Sequence, residues 1–449
     1  MDRVTTKARI SRWLGAPLAP EDAARLWMDT PENPMIVTAL LRLDGPLDFV
    51  TFTKLAEARA LSRDRLRARV VYLAPLLPFA RPRWRDDEDA SIARHVDHVR
   101  LPEGAGEREL AGMLSRITSE PLDRARPLWR MWLIDGGADC SAIAVRIHHV
   151  IADGVALLGV LYGFSDEGAG LTPPAPAPRM STPPASPRAR DDWRALLRRA
   201  AADVARIARL AARRPDAPDA LAGRPGGEKA LAWSTAFDVE SVRSAAHHAN
   251  AHVNDVMLGA LAGALSKLVA RGGAAASSGV HALVPVALPH HDGALENRYA
   301  SIFVRLPLEV ADPIERVVAA RASMQEARAQ AGVEVGRSLV SAAYALGAHA
   351  EHIGVRLLSH KASLVVSNVA GPTTPIHVGG RRITSVAFAS PTCGSIALSA
   401  SAFSYAGVLR VTIATDTAVL PDPWSFARLF DEEMRATLDA LLGAAEGSA

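Results

Sequence analysis

Residues 141–158 read Ser-Ala-Ile-Ala-Val-Arg-Ile-His-His-Val-Ile-Ala-Asp-Gly-Val-Ala-Leu-Leu. Successive side chains of an extended chain point to opposite faces, so Ile143, Val145, Ile147 and His149 share one face and Arg146 and His148 the other. Only one of the two histidines therefore projects from the apolar face. Asp153-Gly154 closes a turn before the apolar run Val155–Leu161, which suits a helix. An aspartate there is favoured by the free N–H groups and positive dipole end of a helix N-terminus. Histidines at a strand end beside a tight turn occupy a common address for chemistry.

A histidine pair alone says little, because His247-His248 and His290-His291 also occur, the latter followed by Asp292-Gly293. The 290–293 run lies in a Pro-flanked loop without a preceding apolar alternation and reads as solvent-exposed. Outward from 141–158, Pro34–Leu43 and Trp129–Ile134 pattern as strands, and Phe52–Leu61 and Glu107–Ile117 as amphipathic helices. In the second half, helices are expected near Asn254–Leu268 and Trp424–Leu442, and strands near Val280–Val286, Ser301–Leu306, Leu364–Ser367 and Val408–Thr415. The pattern is mixed α/β in two comparable lobes.

Between the lobes, residues 171–190 hold seven of the thirty prolines and read as an extended linker, since each Pro lacks an N–H donor. The expected organisation is 1–164 as an N-terminal lobe, 165–230 as linker and crossover, and 231–449 as a C-terminal lobe. Within the crossover, Arg188–Arg214 carries nine arginines and three aspartates, a local +6 that leaves −3 for the rest of a chain whose net charge is +3. Apolar residues from Trp193 to Ala211 fall there at helical spacing. Two readings stay open: a solvated crossover helix between lobes, or a basic amphipathic helix on an anionic membrane. Nucleic acid fits less well, because aromatic interleaving and a reader motif are missing.

Cys140 and Cys393 stand far apart with no CxxC, which excludes a disulfide framework or a thiolate zinc site within one chain and points to a reducing compartment. The basic N-terminus lacks the apolar run of a signal peptide, so the cytosol is the expected location. The uncharged stretch Ile383–Leu409 is long enough to span a bilayer, but Pro391 and its many hydroxyls fit strands and turns of a globular core better. No transmembrane helix is expected.

The motif HHxxxDG, here His148-His149-Val150-Ile151-Ala152-Asp153-Gly154, resembles the signature of the CoA-dependent acyltransferase superfamily. Around it the chain looks like the bacterial wax ester synthase/diacylglycerol acyltransferase family. Leu18-Ala-Pro-Glu-Asp22, the Pro127-Leu-Trp129 triplet, Asn254-Asp255, Ser367-Asn-Val-Ala-Gly-Pro372 and Val419–Trp424 match that family's features in order along almost the whole chain. Departures are Ala370 in place of the family's proline in SNVPGP, and Glu296-Asn297 in place of a Gly-Asn pair. The resemblance implies a chloramphenicol-acetyltransferase-like fold of two lobes, each a mixed sheet with helices, and an active site in the channel between them. It implies acyl-CoA as co-substrate, a lipid alcohol as acceptor, and no cofactor or metal.

Acyl transfer from a thioester to an alcohol needs a base for the hydroxyl, whereas a thiol of pKa about 8.5 departs readily as thiolate. One neutral histidine suffices, so His149 is assigned as general base. His148 either supports it or packs on the opposite face. The resemblance implies that Asp153 is a buried carboxylate that pairs with an arginine and orients the imidazole. Gly154 permits a left-handed φ or close backbone approach. Asn254-Asp255 reads either as a helix N-cap pair or as a wall of the substrate channel, and Asn368 as part of a loop near it.

Rival chemistries are weaker. His248, His252 and Asp255 share helical spacing and could present metal ligands from one face, but no HExxH occurs. GxSxG, P-loop and GxGxxG motifs are absent. Within the superfamily, the alternatives are a condensation-type enzyme acting on carrier-protein thioesters and a non-catalytic lipid-binding relative. The sequence does not define the oligomeric state.

Overall fold

A computed structural model describes residues 15–72, 81–136, 141–168, 216, 221, 223–271, 279–287, 297, 299–330 and 348–446. In chain order the strands are β1 (Ala16–Pro17), β2 (Ile36–Leu43), β3 (Ala68–Tyr72), β4 (Pro82–Asp86), β5 (Val96–Arg100), β6 (Trp129–Asp135), β7 (Ser141–His148), β8 (Lys229–Trp233), β9 (Phe237–Asp238), β10 (Val280–Ala287), β11 (Tyr299–Leu306), β12 (Leu364–Ala370), β13 (His377–Val378), β14 (Arg381–Ala389), β15 (Leu398–Tyr405) and β16 (Val408–Asp416). Helices fill the intervals, as the sequence periodicities indicate, with ends displaced by a few residues.

The alternating run of 141–148 forms β7, which lies antiparallel between β2 and β6 with Ile36 opposite His148 and Trp129 opposite Ile147. The first sheet has the order β13-β14-β2-β7-β6-β5, with β5 and β6 parallel. Its core includes Leu41, Phe52, Trp129, Met131, Ile143 and Ile147, all buried. The second sheet runs β11-β10-β12-β15-β16-β8, with β9 on β16; β12 is parallel to both β10 and β15. A small sheet, β1-β4-β3, flanks the first lobe.

The lobes are not contiguous in sequence. β13 and β14 come from the second half yet join the first sheet, Phe388 of β14 standing opposite Ala39 of β2. The uncharged stretch Ile383–Leu409 becomes most of β14, all of β15 and the start of β16, its hydroxyls bonded within the protein: Ser399 Oγ donates to Ser390 O, and Ser401 Oγ accepts from Ser390 N. The helix Val253–Arg271 is long and apolar enough to cross a membrane, but Val256–Leu265 is buried throughout, as expected of a core helix.

Of the crossover, the Pro-rich run 171–190 and the basic segment 188–214 lie outside the described residues. Asp216 is described, and it anchors the chain to the second lobe. Its carboxylate accepts from His281 N and Ser363 Oγ and bonds His281 Nδ1 at 2.7 Å.

Candidate active site

β7 ends at His148, and the two histidines sit at the entrance to the turn that leads into the helix Gly154–Phe164. Their surroundings differ. The Nδ1 of His148 accepts from Val150 N–H at 3.0 Å, which leaves the proton on Nε2, 3.5 Å from an Asp29 oxygen. Asp29 in turn accepts from Met35 N and pairs with Arg124. Burial opposes ionisation of Asp29, yet His148, Met35 and Arg124 together hold its carboxyl below the usual range. His148 thus ties the strand end to the segment before β2. On the same face of β7, the buried Arg146 donates to Thr118 O and Glu120 O at the end of the helix Glu107–Ser119, where a cation meets the negative end of the dipole. Burial pushes its pKa down to about 10.

His149 turns the other way, as the alternation expects, and its neighbours fix its tautomer. Its Nδ1 lies 2.8 Å from Asn297 Oδ1. Asn297 Nδ2 donates to Asp22 Oδ1 at 2.9 Å and to the carbonyl of His149 at 2.7 Å. Flipping this amide would set its oxygen against a carboxylate and a carbonyl, so Oδ1 must face the imidazole and Nδ1 must carry the proton. The Nε2 lone pair is therefore free to act as a base. Asp22 pairs at 2.9 Å with Arg65, which also donates to Ile151 O inside the HHxxxDG turn.

The electrostatics favour the neutral ring. Burial and then the Arg25 cation push the pKa of His149 down to about 4, against the opposing pull of Asp153 and Asn297. Tyr299, the first residue of β11, stacks obliquely on it with ring centroids 5.4 Å apart, and burial pushes its phenol up to about 12. Arg25 lies over the Tyr299 ring, its Cζ 4.3 Å from the centroid.

The remaining sequence candidates take different places. Asp153 is buried, and its Oδ1 accepts from Ala156 N at 3.0 Å, capping the following helix. Arg65 reaches this turn through Ile151 O and pairs with Asp22. Gly154 is not among the left-handed glycines, and a Cβ there would stand 3.4 Å from Val369 Cγ2, an ordinary contact, so neither a left-handed φ nor a close backbone approach accounts for the glycine. Asp255 reaches back to His252 N at 2.9 Å, capping the helix Val253–Arg271, while Asn254 Nδ2 is buried without a hydrogen-bond partner. Asn368 is exposed on β12, and its neighbour Val369 faces the apolar pocket described next. Among the described residues no hydrogen bond joins Asn254, Asp255 or Asn368 to His149. His248 and His252 do not share a helix face: His248 ends one helix and His252 precedes the next, with Asn250 at φ 49° between them.

A narrow apolar pocket adjoins the motif. Ile147 and Val145 of β7, Gly154 and Leu158 of the following helix, and Val369, Phe388 and Phe403 of the exchanged and second-lobe strands line it. Almost nothing polar reaches its wall, so its fitting occupant is an alkyl chain.

Two lobes clasp a buried histidine of fixed tautomer beside an alkyl-lined pocket, an arrangement that fits an acyltransferase, and the family models place the chain in that class. The chain belongs to the wax ester synthase/diacylglycerol acyltransferase family: the family's catalytic-domain model matches residues 18–257 and its C-terminal-domain model residues 295–437. A Mycobacterium tuberculosis protein named a diacylglycerol O-acyltransferase is 29% identical over 95% of this chain and 91% of its own length. A second from the same organism is 28% identical over 77% and 79%. Among solved structures, the wax ester synthase/diacylglycerol acyltransferase of Marinobacter aquaeolei VT8 superposes with a TM-score of 0.68 at 22% identity, covering 95% of this chain and all of that one. The starter condensation domain of rhizomide synthetase, with C8-CoA bound, gives 0.60 at 14% identity, covering 95% and 94%, which shows the shared fold.

Proposed function

We propose that the protein transfers a long-chain acyl group from acyl-CoA to a lipid alcohol, a diacylglycerol or a fatty alcohol, releasing CoA. The observation that carries this reading is the network Asp22–Asn297–His149, which leaves an unprotonated Nε2 on a buried imidazole. The alcohol oxygen attacks the thioester carbonyl carbon while its proton passes to Nε2. The tetrahedral adduct then collapses, the C–S bond breaks, and the thiolate takes the proton back. The apolar cavity beside Ile147 and Gly154 receives an alkyl chain. Each buried methylene contributes about 0.8 kcal/mol, so long chains are favoured over short ones. Membership of the family and the names of its relatives support the lipid acceptor. The test is an acceptor panel with palmitoyl-CoA and products identified by mass spectrometry; absence of wax ester and triacylglycerol with every acceptor overturns it.

For the basic segment 188–214, the reading is contact with an anionic membrane, where acceptor and product reside. Its arginine content and apolar spacing support this. Unchanged liposome flotation after Arg→Glu changes in the segment would overturn it.

A further inference from the structure

We propose that Arg25 stabilises the negative charge that develops on the thioester carbonyl oxygen as the acyl group is transferred at His149, an inference that rests on the acyl-transfer reading above. Arg25 is on the helix Pro20–Met28 and is only 9% exposed. Its guanidinium covers the Tyr299 ring, which itself packs on His149. Its Nη1 donates at 3.0 Å to the Met28 sulfur, a weak acceptor, and its Nε has no hydrogen-bond partner.

The nearby carboxylates are committed elsewhere. Asp22 is held by Arg65 and Asn297, Asp29 by Met35, His148 and Arg124, and Asp153 by the helix it caps. Among the described residues Arg25 has no ion-pair partner. Burying a cation without a counter-charge is costly. A neutral thioester and a neutral alcohol bring no charge to offset that cost, but their reaction does. When the alcohol oxygen bonds to the carbonyl carbon, the carbonyl π pair moves onto its oxygen and the hydroxyl proton moves to His149 Nε2. Re-forming the carbonyl expels the thiolate, which recovers that proton. An oxyanion therefore exists only between these two steps, next to His149, whose ring packs on the Tyr299 that Arg25 covers. A cation fixed there before the reaction stabilises the transition state without reorganisation.

The same charge acts on the base. The charged and titratable groups around His149 are Arg25, Asp153, Tyr299, Asp22 through Asn297, and the adjoining His148; Arg25 is the cation that lowers its proton affinity. Removing that charge raises the affinity.

The experiment compares purified full-length wild type with R25Q, R25M and R25K, using palmitoyl-CoA with 1-hexadecanol and with dipalmitoylglycerol. Losing a group that stabilises an oxyanion lowers kcat by about 100-fold, so R25Q and R25M are expected to lose that much with KM changed less than about threefold. R25K recovers part of the loss, and the acid limb of kcat/KM moves to higher pH in R25Q and R25M. The melting temperature of R25M is expected to equal or exceed that of wild type, because an uncompensated buried charge has been removed. A kcat close to wild type in R25Q, or an effect confined to KM, overturns the proposal; the latter marks Arg25 as a binding group for an anionic substrate. An R25M protein that melts lower and loses activity in step also overturns it, as a structural role. A wild type inactive with every acceptor overturns the acyl-transfer reading itself, whereas an active wild type with an equally active R25Q overturns Arg25 alone.

Discussion

Replacing Asn297 by Ala removes the acceptor that holds His149 in its base-competent tautomer. In the wild type Nδ1 and Oδ1 are 2.8 Å apart, and the same amide donates to Asp22 and to the carbonyl of His149. After the substitution the imidazole Nδ1–H is buried without an acceptor, and Asp22 loses a donor. Each buried group left unsatisfied costs about 1–3 kcal/mol. The bond to Nδ1–H strengthens when Nε2 takes the substrate proton, because a hydrogen bond from a charged donor is about twice as strong as a neutral one. The loss therefore falls on the transition state more than on substrate binding. At 1.36 kcal/mol per factor of ten, about 1–3 kcal/mol corresponds to a fall in kcat of about 5- to 150-fold. Steady-state CoA release with palmitoyl-CoA and hexadecanol reads this directly, with KM expected to change little. N297D supplies a second reading: its carboxylate would stand against Asp22 and beside His149, raising the proton affinity of the base and moving the acid limb of the pH profile upward. An N297A enzyme with wild-type kcat, or one that loses only KM, refutes the tautomer argument.

Burial holds His149 near pKa 4, below the 6.5 of an unfolded histidine. Between those values the unfolded chain binds a proton that the native one refuses, so stability is full above pH 6.5 and falls toward pH 4 by about 3 kcal/mol. Urea midpoints across this window in wild type and H149Q test it, and an equal slope in both refutes it; His95, also depressed by burial, contributes with the same sign in each. H149A is expected to abolish transfer, while chelators leave the wild type unaffected; inhibition by chelation would replace the base with a metal. G154V pushes side-chain atoms toward Val369 and into the alkyl-lined cavity, so acyl preference should move to shorter chains. An unchanged chain-length profile, measured with C8 to C18 acyl-CoAs, would place the chain elsewhere.

The strand-turn-helix that carries the histidines was legible because three independent local signals coincide there: the period of two through Ile147, the Asp-Gly turn, and the apolar run behind it. The opposite faces of His148 and His149 followed from that period alone. Asn297 was not legible as a site residue. It lies 148 positions from His149 in sequence and its role depends on a contact that only the tertiary fold creates. Its appearance in a Glu-Asn pair, where the resembling family has Gly-Asn, was the one available signal. Arg25 carried none, since one arginine on an amphipathic helix ordinarily faces solvent. The membership of β14 in the first sheet was equally hidden: alternation shows that Arg381–Ala389 is a strand, but not which edge it pairs with.

That exchange of β14 bears on how the site is held. His149 comes from the end of β7, Asn297 and Tyr299 from the start of β11, and Asp22 and Arg25 from the helix before β2. The network around His149 therefore spans both lobes, and its bonds form only when the lobes are held in register. β14, paired with β2 along Ile383–Ala389, contributes to that register from the second half of the chain, together with the bonds of Lys229 and Leu231 to Ser119 and Ser115. Phe388 on the same strand lines the alkyl pocket, so one element contributes both to the placement of the lobes and to the wall of the pocket. A proline at Ala387, opposite Leu40 in the middle of that ladder, removes the residue's N–H and is expected to weaken lobe docking before either lobe's own core. Hydrogen exchange should then rise along β2 and β14, with transfer activity lost and the Val253–Arg271 helix still protected. Retained activity in that variant would show that the lobes are held by other contacts.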